Sequence, residues 1–87
     1  MNFSDEMWKE FGYVKSSKNR TKVMKSLDVE PKIPSRIAKD TDILTNHISG
    51  ILRQLKDHEL VECINPEVKK GRLYRLTEKG EEIVKEL

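Results

Sequence analysis

The chain has 87 residues, one cysteine and a formal net charge of +2, with 37% charged and 36% hydrophobic residues. That length holds one core and not two, and it lies just above the size at which a small core gains from dimerisation. A single cysteine, Cys63, excludes an internal disulfide and a cysteine-based zinc cluster and fits a reducing compartment. No stretch approaches the roughly 18 apolar residues of a membrane span. The opening MNFSDEMWKEF lacks the basic start and apolar middle of a signal peptide, so a cytoplasmic protein without membrane contact is expected.

The N-terminal segment, residues 1–17, reads as a helix from about Ser4 to Val14, with Ser4 as N-cap. Met7, Phe11 and Val14 share one face and Trp8 lies beside it; Gly12 weakens the helix. After an interruption at SSKN, RTKVMKSL supplies Val23, Met24 and Leu27 as the inner edge of a second helix. Pro31 and Pro34 bracket Lys32-Ile33 as an extended crossing. PSRIAKDT is then a short helix with Ile37 and Ala38 inward, and residues 43–58 form a longer one. Two short strands follow, LVECIN and GRLYRLT, joined by PEVKKG, so that residues 60–77 make a hairpin with a long loop. Thr77 caps a last helix over 78–87, with Ile83, Val84 and Leu87 facing the core.

Residues 34–58 carry the functional signal. A short helix, a turn at Asp40-Thr41-Asp42 and a longer helix form a helix-turn-helix, whose second helix enters the DNA major groove. At about 100° per residue, Leu44, Ile48, Ile51, Leu52 and Leu55 cluster on one side as the expected buried face. Asn46, Ser49, Gly50 and Arg53 fall opposite, flanked by Thr45 and His47. Lys and Glu would favour a merely solvated helix. Asn instead pairs with adenine, Arg with guanine, and Ser or Thr with bases or phosphates, while Gly50 allows close approach despite a helix cost of roughly 1 kcal/mol. The alternative is that Gly50 only clears room for a neighbouring helix.

Positive charge is local. Residues 69–75, KKGRLYR, hold four basic groups and no acid, whereas Glu78, Glu81, Glu82 and Glu86 crowd the last helix. Lys69, Lys70 and Arg72 sit at or beside the hairpin tip, where they can reach a DNA backbone or minor groove. Exposed turns are also basic and solvated in many proteins; it is the position directly after a helix-turn-helix that gives this one weight.

IAKDTDILTNHISGILRQLKDHELV followed by YRLTEKG resembles the winged helix-turn-helix transcriptional regulators of the ArsR and MarR type, over roughly residues 20–87. The matching positions are Ile37-Ala38 in the first helix, Ile48-Ser49, Leu52 and Leu55 in the second, Leu60-Val61 entering the wing and Tyr74 to Gly80 leaving it. The resemblance implies an α+β, mainly helical fold: a three-helix core, a β-hairpin wing and flanking N- and C-terminal helices. It also implies a regulator that binds double-stranded DNA, commonly as a homodimer on a palindromic operator. The family often has glycine where this chain has Glu59, so that turn must hold a side chain at some strain.

No phosphate loop, nucleophile elbow or pair of catalytic acids is present, and no enzyme or cofactor is expected. His47 and His58 are eleven residues apart on one helix, some 16 Å at 1.5 Å per residue, so within one chain they do not share a metal. Cys63 alternates with Val61 and reads as a small buried hydrophobe. Trp8, Phe11, Tyr13 and Val14 either cap the core or join a dimer interface. The expected function is sequence-specific DNA binding through Thr45, Asn46, His47, Ser49, Gly50, Arg53, Lys69, Lys70 and Arg72. A winged helix that serves as a protein-interaction module in a larger assembly is the alternative, kept open by the modest net charge and acidic last helix; RNA binding is a third, weakened by the lack of stacking aromatics in the wing.

Overall fold

The computed structural model describes residues 3–87. Five helices and one hairpin follow in the order α1 (Asp5–Lys15), α2 (Lys18–Leu27), α3 (Pro34–Thr41), α4 (Thr45–Asp57), β1 (Val61–Cys63), β2 (Tyr74–Leu76) and α5 (Glu78–Lys85). The element order matches the expectation from sequence. Residues 1 and 2 of the expected N-terminal span lie outside the described residues.

Local chemistry starts and stops these helices. Ser4, Ser17 and Thr77 cap α1, α2 and α5, each accepting a backbone N–H through its hydroxyl, from Met7, Arg20 and Gly80 respectively. Such a cap contributes about 1 kcal/mol by satisfying an otherwise unpaired donor. Pro34 opens α3 at a position where the missing N–H costs nothing. Helix α2 begins at Lys18, two residues before the segment expected to carry it, because Ser17 supplies the cap.

Helix α4 ends in a Schellman motif. The Glu59 N–H donates to the Lys56 carbonyl at 2.9 Å and the Leu60 N–H to the Leu55 carbonyl at 2.9 Å. Glu59 sits at the left-handed position with φ of 60°, so the strain expected of a side chain in this turn is present.

The buried residues form one cluster, to which every helix and both strands contribute. Val14 comes from α1, Val23, Met24 and Leu27 from α2, Ile37 and Ala38 from α3, Ile48, Ile51, Leu52 and Leu55 from α4. Leu60, Val61 and Leu76 close it from the hairpin and Ile83 from α5, with Val84 and Leu87 partly buried against it. One assignment is corrected. Leu44 was expected in the buried stripe, but it is the N-cap of α4 with ψ of 138° and is 67% exposed. The helix does not begin until Thr45, so helical spacing does not apply to Leu44, and Ile43 enters the core instead.

The hairpin is shorter in its ladder than LVECIN and GRLYRLT suggest. Strands β1 and β2 pair antiparallel with Val61 opposite Leu76, Glu62 opposite Arg75 and Cys63 opposite Tyr74. Lys32, in the crossing before α3, adds a β-bridge to Tyr74 through two backbone hydrogen bonds of 3.0 and 2.9 Å. The wing is thereby tied to the entrance of the helix-turn-helix. Lys32 itself is only 7% exposed. Its Nζ lies 2.6 Å from Asp40 Oδ2, and Arg36 Nε reaches the same carboxylate at 3.1 Å. A buried ammonium needs such a partner, and the pair fixes α3 against the crossing strand.

Candidate nucleic-acid interface

Of the residues proposed from sequence for DNA, the structure brings Ser49 and Arg53 of α4 together with Arg72 of the wing at one recess. Thr45, Asn46, His47, Ser49, Gly50 and Arg53 are all exposed along α4, and Lys69, Lys70 and Arg72 are exposed in the wing loop. Ile48, Ile51, Leu52 and Leu55 are buried on the opposite side of α4, as the 3.6-residue period requires. Among the described residues, no hydrogen bond or ion pair engages the side chains of Asn46, Ser49, Arg53, Lys69 or Lys70, whereas Lys32, Arg36, Arg75, Lys79 and Lys85 all meet carboxylates.

Gly50 does not clear room for a neighbour. A Cβ placed there meets nothing within 4 Å. The residue keeps the outer surface of α4 flat, at a propensity cost that packing does not explain.

The two helices of the helix-turn-helix differ from the other three at their starts. Ile33 and Leu44 are the N-caps of α3 and α4, and neither helix has a side-chain cap. The first amides of α4 therefore have no capping side chain, and phosphate oxygens are good acceptors for such groups at the positive end of a helix dipole. Leu44 adds an exposed apolar side chain beside Thr45 and Asn46, of a kind that can meet a thymine methyl.

The wing loop is organised by a residue that sequence reading passed over. Asn65 Oδ1 accepts from the Leu73 N–H at 2.7 Å, and its Nδ2 donates to the Gly71 carbonyl at 3.1 Å. Gly71 has φ of +73°, a left-handed turn that glycine adopts without penalty. Arg72 Nε donates to the Val68 carbonyl at 2.8 Å, which constrains its guanidinium, and among the described residues its other N–H groups make no hydrogen bond. Cys63 is half-buried rather than fully buried, with Sγ 3.6 Å from Asn65 Oδ1.

Helix α4 and the wing meet at a recess of about 310 Å3 lined by Pro34, Ser49, Leu52, Arg53, Lys56, Arg72 and Tyr74. Lys56 lines this recess although sequence reading did not single it out. A lysine on an outer helix face carries no signal of its own; only its position next to Arg72 does.

Charge is distributed in keeping with this surface. Arg75 is turned to the other side of the hairpin and pairs with Glu62 at 2.8 Å. Asp40 is held below its ordinary carboxylate range of about 3.8, first by the hydrogen bond from Lys32 and then by Arg36, with partial desolvation opposing both.

The histidines have separate roles. His47 is exposed at the flank of α4. His58, at the C-cap of α4, places Nδ1 3.0 Å from Glu10 Oε2 and stacks on Tyr13 with ring centroids 3.8 Å apart. It joins α1 to the end of α4. Among the described residues no group of three His, Cys, Asp or Glu side chains is placed to hold a metal ion. No helix among them is long and apolar enough to cross a membrane.

No protein-family profile and no curated protein matches the sequence. Solved structures do match the fold. A MarR family transcription regulator superposes with a TM-score of 0.74 at 21% identity, over 91% of this chain and 54% of that one. The transcriptional repressor CouR, bound to a 23-mer DNA duplex, gives 0.72 at 20% identity, over 92% of this chain and 61% of that one. The homodimeric winged helix-turn-helix DNA-binding domain of Mb0332 from Mycobacterium bovis, a possible ArsR-family regulator, gives 0.71 at 21% identity, over 97% and 80%. The chain spans about half the length of the first of these regulators. It has the winged helix-turn-helix fold that these MarR-family and ArsR-family transcription regulators share.

Proposed function

We propose that this chain is a non-enzymatic transcriptional regulator that binds double-stranded DNA in the cytoplasm, its 87 residues acting as one winged helix domain. Helix α4 lies in the major groove with Thr45, Asn46, His47, Ser49 and Gly50 toward base edges, and the wing carries Lys69, Lys70 and Arg72 to the sugar-phosphate backbone. The observation that carries this reading is the outer face of α4: among the described residues the side chains of Asn46, Ser49 and Arg53 make no hydrogen bond or ion pair, and a Cβ at Gly50 meets nothing within 4 Å. That CouR, a structural neighbour, is seen on a DNA duplex adds support.

A regulator of this size reads few base pairs alone, and two-fold pairing doubles its contacts. We therefore place a homodimer interface on the terminal helices α1 and α5. Trp8 is 51% exposed on α1, in contact with Phe3 and Phe11, and the Mb0332 domain is itself a homodimer. Selecting bound sequences from a random duplex pool is the direct test. An enriched, roughly palindromic motif is expected. A pool that stays random while the chain shows no salt-dependent affinity for duplex DNA would reject the reading in favour of a protein-interaction module.

A further inference from the structure

We propose that the recess between α4 and the wing seats a single DNA phosphate, gripped jointly by Arg53, Lys56 and Arg72. This rests on the DNA-binding reading above and changes the role of Arg53, which sequence alone assigns to guanine.

Three observations lead there. Ser49, Arg53 and Lys56 stand at i, i+4 and i+7, one stripe on the flank of α4, and all three line the recess opposite Arg72 and Tyr74 of the wing. No carboxylate lines it. Among the described residues Arg53, Lys56 and Arg72, like most Lys and Arg side chains of the chain, have no acidic partner, and what sets them apart is that they line one recess. Finally, Arg72 is directed by its bond to the Val68 carbonyl, and the wing that carries it is pinned by Asn65 and by the Lys32–Tyr74 bridge.

The chemistry selects the occupant. Three cations converging on one recess repel one another unless an anion joins them. A guanine edge offers two in-plane acceptors, which one arginine satisfies. A phosphate carries a full charge on oxygens that accept from several directions, and a guanidinium matches it through two N–H groups at once. A strand backbone also separates the groove occupied by a recognition helix from the groove reached by a wing, so a phosphate must pass between them.

The test measures affinity for a random-sequence duplex across a salt series. It uses the intact chain and the variants Arg53→Gln, Lys56→Gln and Arg72→Gln, singly and combined. All three side chains are exposed, and thermal melting checks that each variant folds. Each single change should weaken binding severalfold. Because counterion release counts phosphates rather than cations, the triple variant should flatten the logarithmic salt slope by about one unit, not three. In a double-mutant cycle between Lys56 and Arg72, the second removal should cost a smaller fold-change than the first. A triple variant with an unchanged slope, a loss of about three units, or strictly additive singles would each overturn the shared seat. Failure of the parent chain to bind duplex DNA at any salt would instead remove the DNA-binding reading, and the seat with it.

Discussion

The Thr77 hydroxyl donates to the Glu59 carbonyl at 2.7 Å and accepts from the Gly80 N–H at 3.0 Å. One side chain therefore closes the end of α4 and opens the last helix. Lys79 Nζ reinforces the junction by reaching the His58 carbonyl at 3.3 Å, where the negative end of the α4 dipole favours a cation. The YRLTEKG run that carries the family resemblance thus has a mechanical purpose: it fastens the far end of α4. Thr77→Val should cost about 1–2 kcal/mol, because it removes a cap and strands a carbonyl. Thr77→Ser should keep most of that stability. Denaturant midpoints of the two variants make the comparison, and a larger loss for Thr77→Ser than for Thr77→Val would show that methyl packing rather than the hydroxyl matters.

Glu59 is the residue that this clamp holds in a left-handed turn. A non-glycine residue there costs roughly 1–2 kcal/mol, while glycine costs about 0.5–1 kcal/mol in unfolded-state entropy. Glu59→Gly should therefore stabilise the fold by up to about 1 kcal/mol with an unchanged denaturant slope. A loss of stability would mean that the Glu59 side chain contributes more than its exposed position suggests.

Gly12 and Gly50 form a matched pair. Each is exposed within a helix, and a Cβ at either meets nothing within 4 Å. Replacing either with alanine should stabilise the fold by about 1 kcal/mol. Only Gly50→Leu should also weaken duplex binding, since only Gly50 lies on the outer face of α4. Gly12→Leu serves as the control. Equal DNA affinity for the two leucine variants would remove Gly50 from the interface. Gly80 is the contrasting case: its added Cβ would run into the Leu60 carbonyl, so no such gain is open there.

The Lys32–Asp40 pair makes stability sensitive to acid. The folded-state pKa of Asp40 is depressed, chiefly by the hydrogen bond from Lys32. Its contribution is therefore complete above the ordinary carboxylate value of about 3.8 and is lost as pH falls through the lower folded value. Asp40→Asn should flatten the acid limb of the stability profile below about pH 4. It should also lower stability at neutral pH, because Lys32 is left buried without its counter-ion. Denaturant midpoints between acid and neutral pH would reveal both effects, and an unchanged acid limb would place the acid sensitivity elsewhere.

Helix periodicity made most of the fold legible. Ser4 and Thr77 were readable as caps, and Ile37, Ile48, Leu52 and Ile83 as core, since each sits in a regular local pattern. Leu44 misled because apolar spacing continues one step past the start of the helix. The strands were read too long for a different reason. Asn65 takes the Leu73 N–H and the Gly71 carbonyl with its side chain, replacing ladder bonds that a sequence of β-formers suggests. Lys56 and Tyr74 could not be singled out from sequence, because the recess that they line forms between elements eighteen residues apart. The group on α1 left open by the sequence was split by the structure: Val14 is buried and Phe11 packs against the core, while Trp8 stays half in solvent.

That split decides how dimerisation should be tested. Removing residues 1–14 would delete Val14, which is wholly buried, and such a truncation would damage the core as well as any interface. Trp8→Glu changes only an exposed ring whose neighbours are Phe3 at 4.9 Å and Phe11 at 5.6 Å between centroids. An aromatic anchor at the centre of an interface commonly carries 2 kcal/mol or more of binding energy, roughly a thirtyfold change in dissociation constant. If α1 pairs two copies, the parent chain should sediment above 10.2 kDa at micromolar concentration, and Trp8→Glu should sediment at that mass with its melting transition intact. It should also lose operator affinity, since one half-site contact set is no longer tethered to the other. A parent chain already at 10.2 kDa, or a Trp8→Glu variant that remains dimeric, would move the interface off α1.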